Sequence, residues 1–255
     1  MKTHSNPADT PQKKKGGCLK VFLSVIVIII AIAVIGSLLG GNDDSKKAGS
    51  TPATKSNTSD SAQPKEEKEQ VVEEHYEVDL SAGNYTAGID IPVGTYNLTA
   101  TGGNGNVSSS NMYSGGLNEI MGNPVNEYSS DSFNGLKMDK GVILTLGSTV
   151  TLHLTSENAN VSGMTARPSV DSTPIDLGAG NYTCGTDFPP GTYNVIATGG
   201  NGNVSSDNMY NGGLNEIMGT SSDGLSIAQY NNASFQDGNV LTVSGTTIQL
   251  IPVGN

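Results

Sequence analysis

The sequence predicts an all-β protein: two tandem small β-sandwich or jelly-roll-like modules, preceded by one transmembrane α-helix and a disordered stalk. Three observations predict it. Residues 79–122 recur as residues 176–219, 44 positions with nine differences at a constant offset of 97. Inside the repeat, short stretches alternate polar and apolar side chains between Gly and Pro turn signals, the pattern of half-buried strands. Ahead of both copies lies a 19-residue run without a charge, residues 21–39, rich in Val and Ile.

Residues 1–20 form a basic tail, with Lys2, Lys13, Lys14, Lys15 and Lys20 against Asp9, a net of +4. The apolar run that follows is long enough, at about 1.5 Å per residue, to cross a hydrocarbon core of ~30 Å. Positive charge is retained in the cytoplasm, so the C-terminal part is expected to be extracytoplasmic. A cleaved secretory signal is the competing reading. The run exceeds the roughly 7–15 apolar residues of a signal, and no small-x-small cleavage site follows, which favours an uncleaved anchor. Cys18 precedes the run and so does not read as a lipoprotein cysteine.

Residues 40–76 are dominated by Ser, Thr, Lys, Glu, Ala and Pro, with too little apolar surface to order themselves, and read as a flexible polar stalk. Toward its end, residues 65–74 fit a short helix and residues 71–78 an approach strand, with the strand preferred.

The first module is expected over residues 77–165, a connector over 166–174, and the second module over 175–255. In the stretch from Thr95 to Ala100, the period-2 rule places Tyr96, Leu98 and Ala100 on one face and Thr95, Asn97 and Thr99 on the other. Asp90-Ile91-Pro92-Val93-Gly94 reads as the turn between two strands. The repeat continues faintly: Phe133 aligns with Tyr230, Gly141 with Gly238, and Leu144-Thr145 with Leu241-Thr242. Each module is expected to close with two strands, 141–146 and 149–155 in the first, 239–243 and 247–251 in the second. A period near 97 is too long for a solenoid coil.

Charge excludes one class of partner. Residues 41–78 carry five Lys and nine acids, and residues 79–255 carry Lys137, Lys140 and Arg167 against 14 acids, a net of −11 for that part. From Asp176 onward there is no Lys or Arg. Nucleic-acid binding rests on cationic contacts to phosphate, so no nucleic-acid partner is expected. Cys18 and Cys184 fall on opposite sides of the membrane and cannot pair within one chain. Cys184 stands where the first copy has Ala87 and reads as a small, partly buried apolar position. The eight Asn-x-Ser/Thr triplets are compositional, in a chain rich in all three residues.

Candidate chemistry is sparse. GGNGNVSS, residues 102–109 and 199–206, has no Lys after its glycines and no helix pattern, so it reads as a Gly-Asn loop running into a strand, with a tight turn or bulge, not a phosphate cradle. NMYSGGLNEIMG, residues 111–122, and its copy at 208–219 read as a loop packed on the sheet, the place where a rigid scaffold presents binding residues. The candidate binding residues are Tyr113, Asn118 and Glu119, with Tyr210, Asn215 and Glu216: carboxylates for a ligand or cation, amides beside them, and rings for a sugar. Against this, Leu117, Ile120 and Met121 look like core plugs. Asp90 and Asp187, with Asp79 and Asp176, carry oxygen donors that suit Ca²⁺, but an Asx-type turn is the preferred reading. Tyr85, Tyr96, Tyr182 and Tyr193 read as strand-face packing with the hydroxyl at the rim. His153 reads as a strand side chain. No Ser/His/Asp, Cys/His or zinc pattern occurs, so no catalytic residue, metal or cofactor is expected.

The pattern G-x-Y-x-x-G-x-D-x-P-x-G-T-Y in the first copy, recurring at residues 180–193, with GGLNEIMG and DGNVLTVSG, resembles an uncharacterised repeated β-rich module of membrane-anchored exported proteins of Gram-positive bacteria. The resemblance covers about residues 79–255 and implies a surface location and a β fold; it carries no established activity. Together these readings lead to the expectation of a single-pass membrane protein. It would contact membrane lipid through its helix and use the modules for binding or adhesion toward cell-envelope polymer or a surface protein. A structural spacer or accessory subunit of a membrane complex is the alternative, and an envelope-acting hydrolase the third.

Overall fold

The computed structural model describes residues 73–221 and 224–254, and these form strands joined by turns. The basic tail, the apolar run and most of the polar stalk lie outside the described residues. Among the described residues no helix is long and apolar enough to cross a membrane.

The first copy and its flanks supply β1 (Glu74–Leu80), β2 (Gly83–Thr86), β3 (Gly94–Ser109), β4 (Asn118–Asn123), β5 (Ser132–Met138), β6 (Ile143–Leu146) and β7 (Thr151–Ala159). The second supplies β8 (Ile175–Leu177), β9 (Gly180–Thr183), β10 (Gly191–Ser206), β11 (Asn215–Gly219), β12 (Gln229–Phe235) and β13 (Val240–Pro252). The approach segment is thus a strand, and it begins inside the predicted stalk.

The long strand β3 organises the first copy. Its first part pairs with β5 and with β7, and β7 pairs with β1. Its last part pairs with β4 and with β6, and β6 pairs with β2. In the second copy β10 does the same: its first part pairs with β12 and with the end of β13, which holds β8. Its last part pairs with β11 and the start of β13, which holds β9.

GGNGNVSS ends in strand as expected, but its Gly-Asn part is strand as well and not a loop. It lies inside β3 and β10, where the strand bends from one pairing set to the other. The bulge part of the expectation holds, because register shifts fall between Ala100 and Gly102 and between Gly200 and Asn203. The glycines are there for close approach. A Cβ at Gly105 would stand 1.9 Å from the Gly147 carbonyl oxygen, and one at Gly202 would stand 1.9 Å from that of Ser244. Any side chain at either position would push the crossing strand away.

The closing strands differ from expectation in the second copy. There the two predicted strands are the single 13-residue β13, where the first copy breaks at residues 147–150 into β6 and β7. The second copy has one more residue at this point. The extra length lets Gly245, at φ 74°, absorb the irregularity as a bulge within one strand.

Tyr96, Leu98 and Ala100 are buried and Thr95, Asn97 and Thr99 exposed, as the alternation requires. Two apolar clusters result. One gathers Tyr96, Leu98, Leu136, Leu144 and Leu152 among others, and the second gathers Tyr193, Val195, Phe235, Leu241 and Leu250. Phe188, Tyr193 and Phe235 pack with ring centroids 5.4–6.2 Å apart. Ala82 belongs to the first copy by sequence but joins the second cluster.

Four tyrosines share one device. The hydroxyls of Tyr85, Tyr96, Tyr182 and Tyr193 each donate to the carbonyl four residues earlier, at Ser81, Pro92, Gly178 and Pro189. Each thereby satisfies its polar end while tying down the turn before its strand. Cys184 is buried in the second cluster, and burial pushes its thiol pKa up.

Candidate functional site

The two copies meet along a polar seam, and most of it comes from residues the repeat makes twice. Asn84, 4% exposed, is its centre. Its Nδ2 donates to the carbonyls of Gly212 at 2.8 Å and Gly213 at 2.9 Å. Its Oδ1 accepts from Thr145 Oγ1 at 2.8 Å and from the buried Tyr230 hydroxyl at 3.2 Å. All the hydrogen-bonding capacity of one amide is used, which is what a buried Asn requires.

Beside it, β12 meets β2 in parallel at one point, Asn231 against Gly83. Asn231 donates through its backbone to the Ala82 carbonyl at 2.9 Å and through Nδ2 to the same carbonyl at 3.0 Å. A Cβ on Gly83 would stand 2.7 Å from the Asn231 backbone oxygen, so glycine is what lets the strands touch.

Arg167, from the predicted connector, closes the seam on another side. Its guanidinium pairs with the Asp90 carboxylate through both Nε and Nη2, and Nη1 donates to Thr192 Oγ1 at 3.1 Å. Both charged side chains are largely buried, 14% and 13% exposed. Asp90 also accepts from the Thr86 backbone N–H at 2.7 Å, and Asp187 from that of Thr183 at 2.7 Å. Those are the Asx-type turns the sequence suggested. Asp79 instead faces His153, at 2.7 Å between Oδ1 and Nδ1.

A cavity of about 310 Å³ opens on the seam. Ser108, Thr145 and Gly147 line it from the first copy, and Tyr210, Asn215, Glu216 and Tyr230 from the second. Of the six candidate residues, the structure thus brings three together: Tyr210, Asn215 and Glu216. Glu216 packs on the turn between β6 and β7, its Oε2 accepting from the Ser148 backbone N–H at 2.9 Å. Burial pushes its carboxyl pKa up to about 7, against the opposing pull of that hydrogen bond. Burial, with the nearby Glu216 carboxylate adding to it, also pushes the Tyr230 hydroxyl well above its ordinary range.

Tyr113, Asn118 and Glu119 do not line this cavity, and all three are exposed. Asn118 and Glu119 open β4, so the second half of the predicted loop is a strand. Leu117 and Met121 are core plugs, but Ile120 is 44% exposed, because strand alternation sends it to the face opposite Met121. Asn215 is exposed in β11 and accepts from Asn203 Nδ2 at 3.3 Å.

Glu216 is the only carboxylate among the described residues that line the cavity, and its one polar contact is a backbone N–H. Hydrolysis by paired carboxylates needs a second acid, and nucleophilic catalysis needs a base beside a nucleophile. A single perturbed carboxyl at a contact between two folded halves is explained by desolvation there.

The sequence reading missed Asn84, Asn231 and Arg167. For Arg167 a signal existed: it is the one cation in residues 141–255, placed between two acidic modules. For Asn84 there was none, since Asn181 occupies the same place in the other copy.

No family model matches the chain, and no curated protein matches it. Among solved structures, a cupin 2 conserved barrel domain protein from Leptotrichia buccalis is similar at 10% sequence identity. The match covers 72% of this chain and 91% of that one, with a TM-score of 0.20, too low to constrain either fold or activity.

Proposed function

We propose that this chain is a single-pass membrane protein of a Gram-positive cell surface. Its N-terminus is cytoplasmic, and its two extracytoplasmic sandwich modules bind a repetitive cell-envelope polymer or a surface protein. The observation that supports binding is the pair Tyr113 and Tyr210, 96% and 94% exposed, at the same turn of each copy. Each turn is held firm. Asn111 Nδ2 donates to the Lys137 carbonyl at 2.9 Å, and Asn208 Nδ2 to that of Ser234 at 2.8 Å. A bare ring on a braced turn leaves little backbone freedom to be lost on binding, a condition that favours aromatic recognition of a sugar or a protein surface. Two such rings on one chain give avidity toward a repetitive ligand.

The apolar run at residues 21–39 and the charge asymmetry around it support the anchor. The reading assigns no catalytic residue, metal or cofactor, and no nucleic-acid partner. The spacer or accessory-subunit alternative is favoured by the polar seam, which couples the copies without leaving Asn84 a free valence.

The test is co-sedimentation of the full chain, in detergent, with purified cell-wall polymer. The Tyr113→Ala/Tyr210→Ala variant is expected to bind at least about tenfold more weakly, and each single variant to lose more than half, as bivalence predicts. Wild-type chain that stays in the supernatant, or a double variant that sediments unchanged, would refute the proposal. Co-purification of a stoichiometric membrane partner instead would support the spacer reading.

A further inference from the structure

The seam joins two different surfaces, and the repeat makes both of them twice. The first surface is the β2 edge with Ala82, Gly83 and Asn84. The second is the β12 edge with Asn231 and the turn carbonyls of Gly212 and Gly213. One copy of each is consumed in the seam. The other copies, β9 and β5, take no part in it.

The free counterpart of the β2 edge is β9, carrying Ala179, Gly180 and Asn181. All three residues match, yet Ala82, Gly83 and Asn84 are buried while Ala179 and Asn181 are exposed. Thr242 Oγ1 donates to Asn181 Oδ1 at 2.8 Å, as Thr145 does to Asn84, so the amide is already oriented. Among the described residues its Nδ2 makes no hydrogen bond. The free counterpart of the β12 edge is β5, where Asn134 matches Asn231 and is exposed, and where the Lys137 N–H donates to the Gly115 carbonyl at 3.0 Å as that of Ser234 does to Gly212. β2 pairs with both β6 and β12, but β9 pairs only with β13. Likewise β12 pairs with both β10 and β2, but β5 pairs only with β3. Unpaired sheet edges of this kind are templates for joining another chain.

We infer that the β9 edge of one molecule docks on the β5 edge of a second copy of this chain, head to tail, through the same contacts that join the two repeats internally. The contact is heterologous, so each molecule keeps one free edge after pairing.

Charge supports a second copy as the occupant. Inside the seam Asp90 is met by Arg167, but its counterpart Asp187 lies in a repeat with no Lys or Arg from Asp176 onward. Ser234, which lines the same small cavity as Asn84 and Arg167, is replaced in the first copy by Lys137. Lys137 is exposed and lies over Gly115. Docking by the seam geometry brings that cation to the counterpart of the cavity that Arg167 lines, with Asp187 standing for Asp90, the partner of Arg167. Phe133 stands where Tyr230 stands, so the hydroxyl that reaches Asn84 is missing. The contact between molecules is therefore weaker than the one within.

The inference does not depend on the polymer-binding reading, and its experiment contains no polymer. Sedimentation velocity of the full chain in detergent is expected to show concentration-dependent dimers and larger species. Asn181→Arg and Asn134→Arg each block one edge and should each sediment as monomers. A one-to-one mixture of the two should form dimers and nothing larger, because only one productive pair of edges remains. Lys137→Glu should weaken association about tenfold. Melting temperatures within a few degrees of wild type verify the fold, and Ala179→Arg replaces Asn181→Arg if that variant melts early. The inference is overturned by wild-type chain that stays monomeric at about 1 mM, where even a weak site fills. It is overturned equally by single variants that still associate, or by a mixture that does not recover dimers.

Discussion

Asn84 and Asn181 have the same neighbours in sequence, Gly before and Tyr-Thr after, and opposite surroundings in space. One is sealed in the seam with four hydrogen bonds; the other is exposed. Glu216 and Glu119, Tyr85 and Tyr182, and Asp90 and Asp187 divide in the same way, one member of each pair more enclosed than its twin. The two copies are 35 of 44 residues identical, so side-chain chemistry is held constant and environment alone varies. Energetic weight is thus set by position in the assembly and not by the motif, and paired substitutions at equivalent sites measure it directly.

The largest difference is expected at the ion pair. Arg167→Met leaves the Asp90 carboxylate largely buried without its cation and removes the bond to Thr192. Stranding one partner of such a pair costs about 3 kcal/mol. Asp187→Asn, on the exposed twin, keeps an oxygen for the Thr183 N–H and should cost under about 0.5 kcal/mol. Urea unfolding of the full chain reads both, and equal losses would contradict the claim that the seam carries load.

Asn84→Ala comes next. It leaves the Gly212 and Gly213 carbonyls and the Thr145 and Tyr230 hydroxyls short of a partner. The Gly212 carbonyl still accepts from the Ser234 N–H at 2.7 Å, which moderates the loss. At about 1–3 kcal/mol for stranded buried groups, a total of about 2 kcal/mol is expected, against a few tenths for Asn181→Ala. The same urea titration checks it, and a smaller loss at Asn84 than at Asn181 would reverse the assignment of the buried copy.

What was legible in the sequence is what one copy decides alone. The alternation around Tyr96 put the right side chains inside, and the Asp-x-Pro-x-Gly turns formed around Asp90 and Asp187 with their Asx-type bonds. The Gly-Asn part of GGNGNVSS reads as a loop from sequence because glycine has two uses. It opens turns, and it also lets backbones cross, and only the crossing partner 42 residues away distinguishes them at Gly105 and Gly202. The seam was illegible for a deeper reason. The bonds that Asn84 and Asn231 make across it span 128 to 150 residues, and a near-exact repeat presents most interface residues twice without marking which one is used. The site residues divided accordingly: Glu216 entered a cavity and Glu119 did not, though both stand in Leu-Asn-Glu-Ile-Met-Gly.

Glu216 gives the subtlest effect, visible only as a function of pH. Glu216 has its pKa raised from 4.5 to about 7 by burial. Between those values the folded chain holds a proton that the unfolded chain has released. Stability therefore falls as pH rises through that window, and is level with respect to this group below 4.5 and above about 7. The full span is worth at most about 3 kcal/mol, at 1.36 kcal/mol per unit, and solvent reaching the partly exposed carboxyl reduces it. Glu216→Gln removes the ionisation but keeps an oxygen for the Ser148 N–H. Relative to wild type it should gain stability steadily from pH 4.5 to 7 and then hold constant. The difference between the two curves cancels the titration of every other carboxylate. A flat difference would mean that Glu216 stays ionised and solvated, and that the cavity beside it is open to water on both sides.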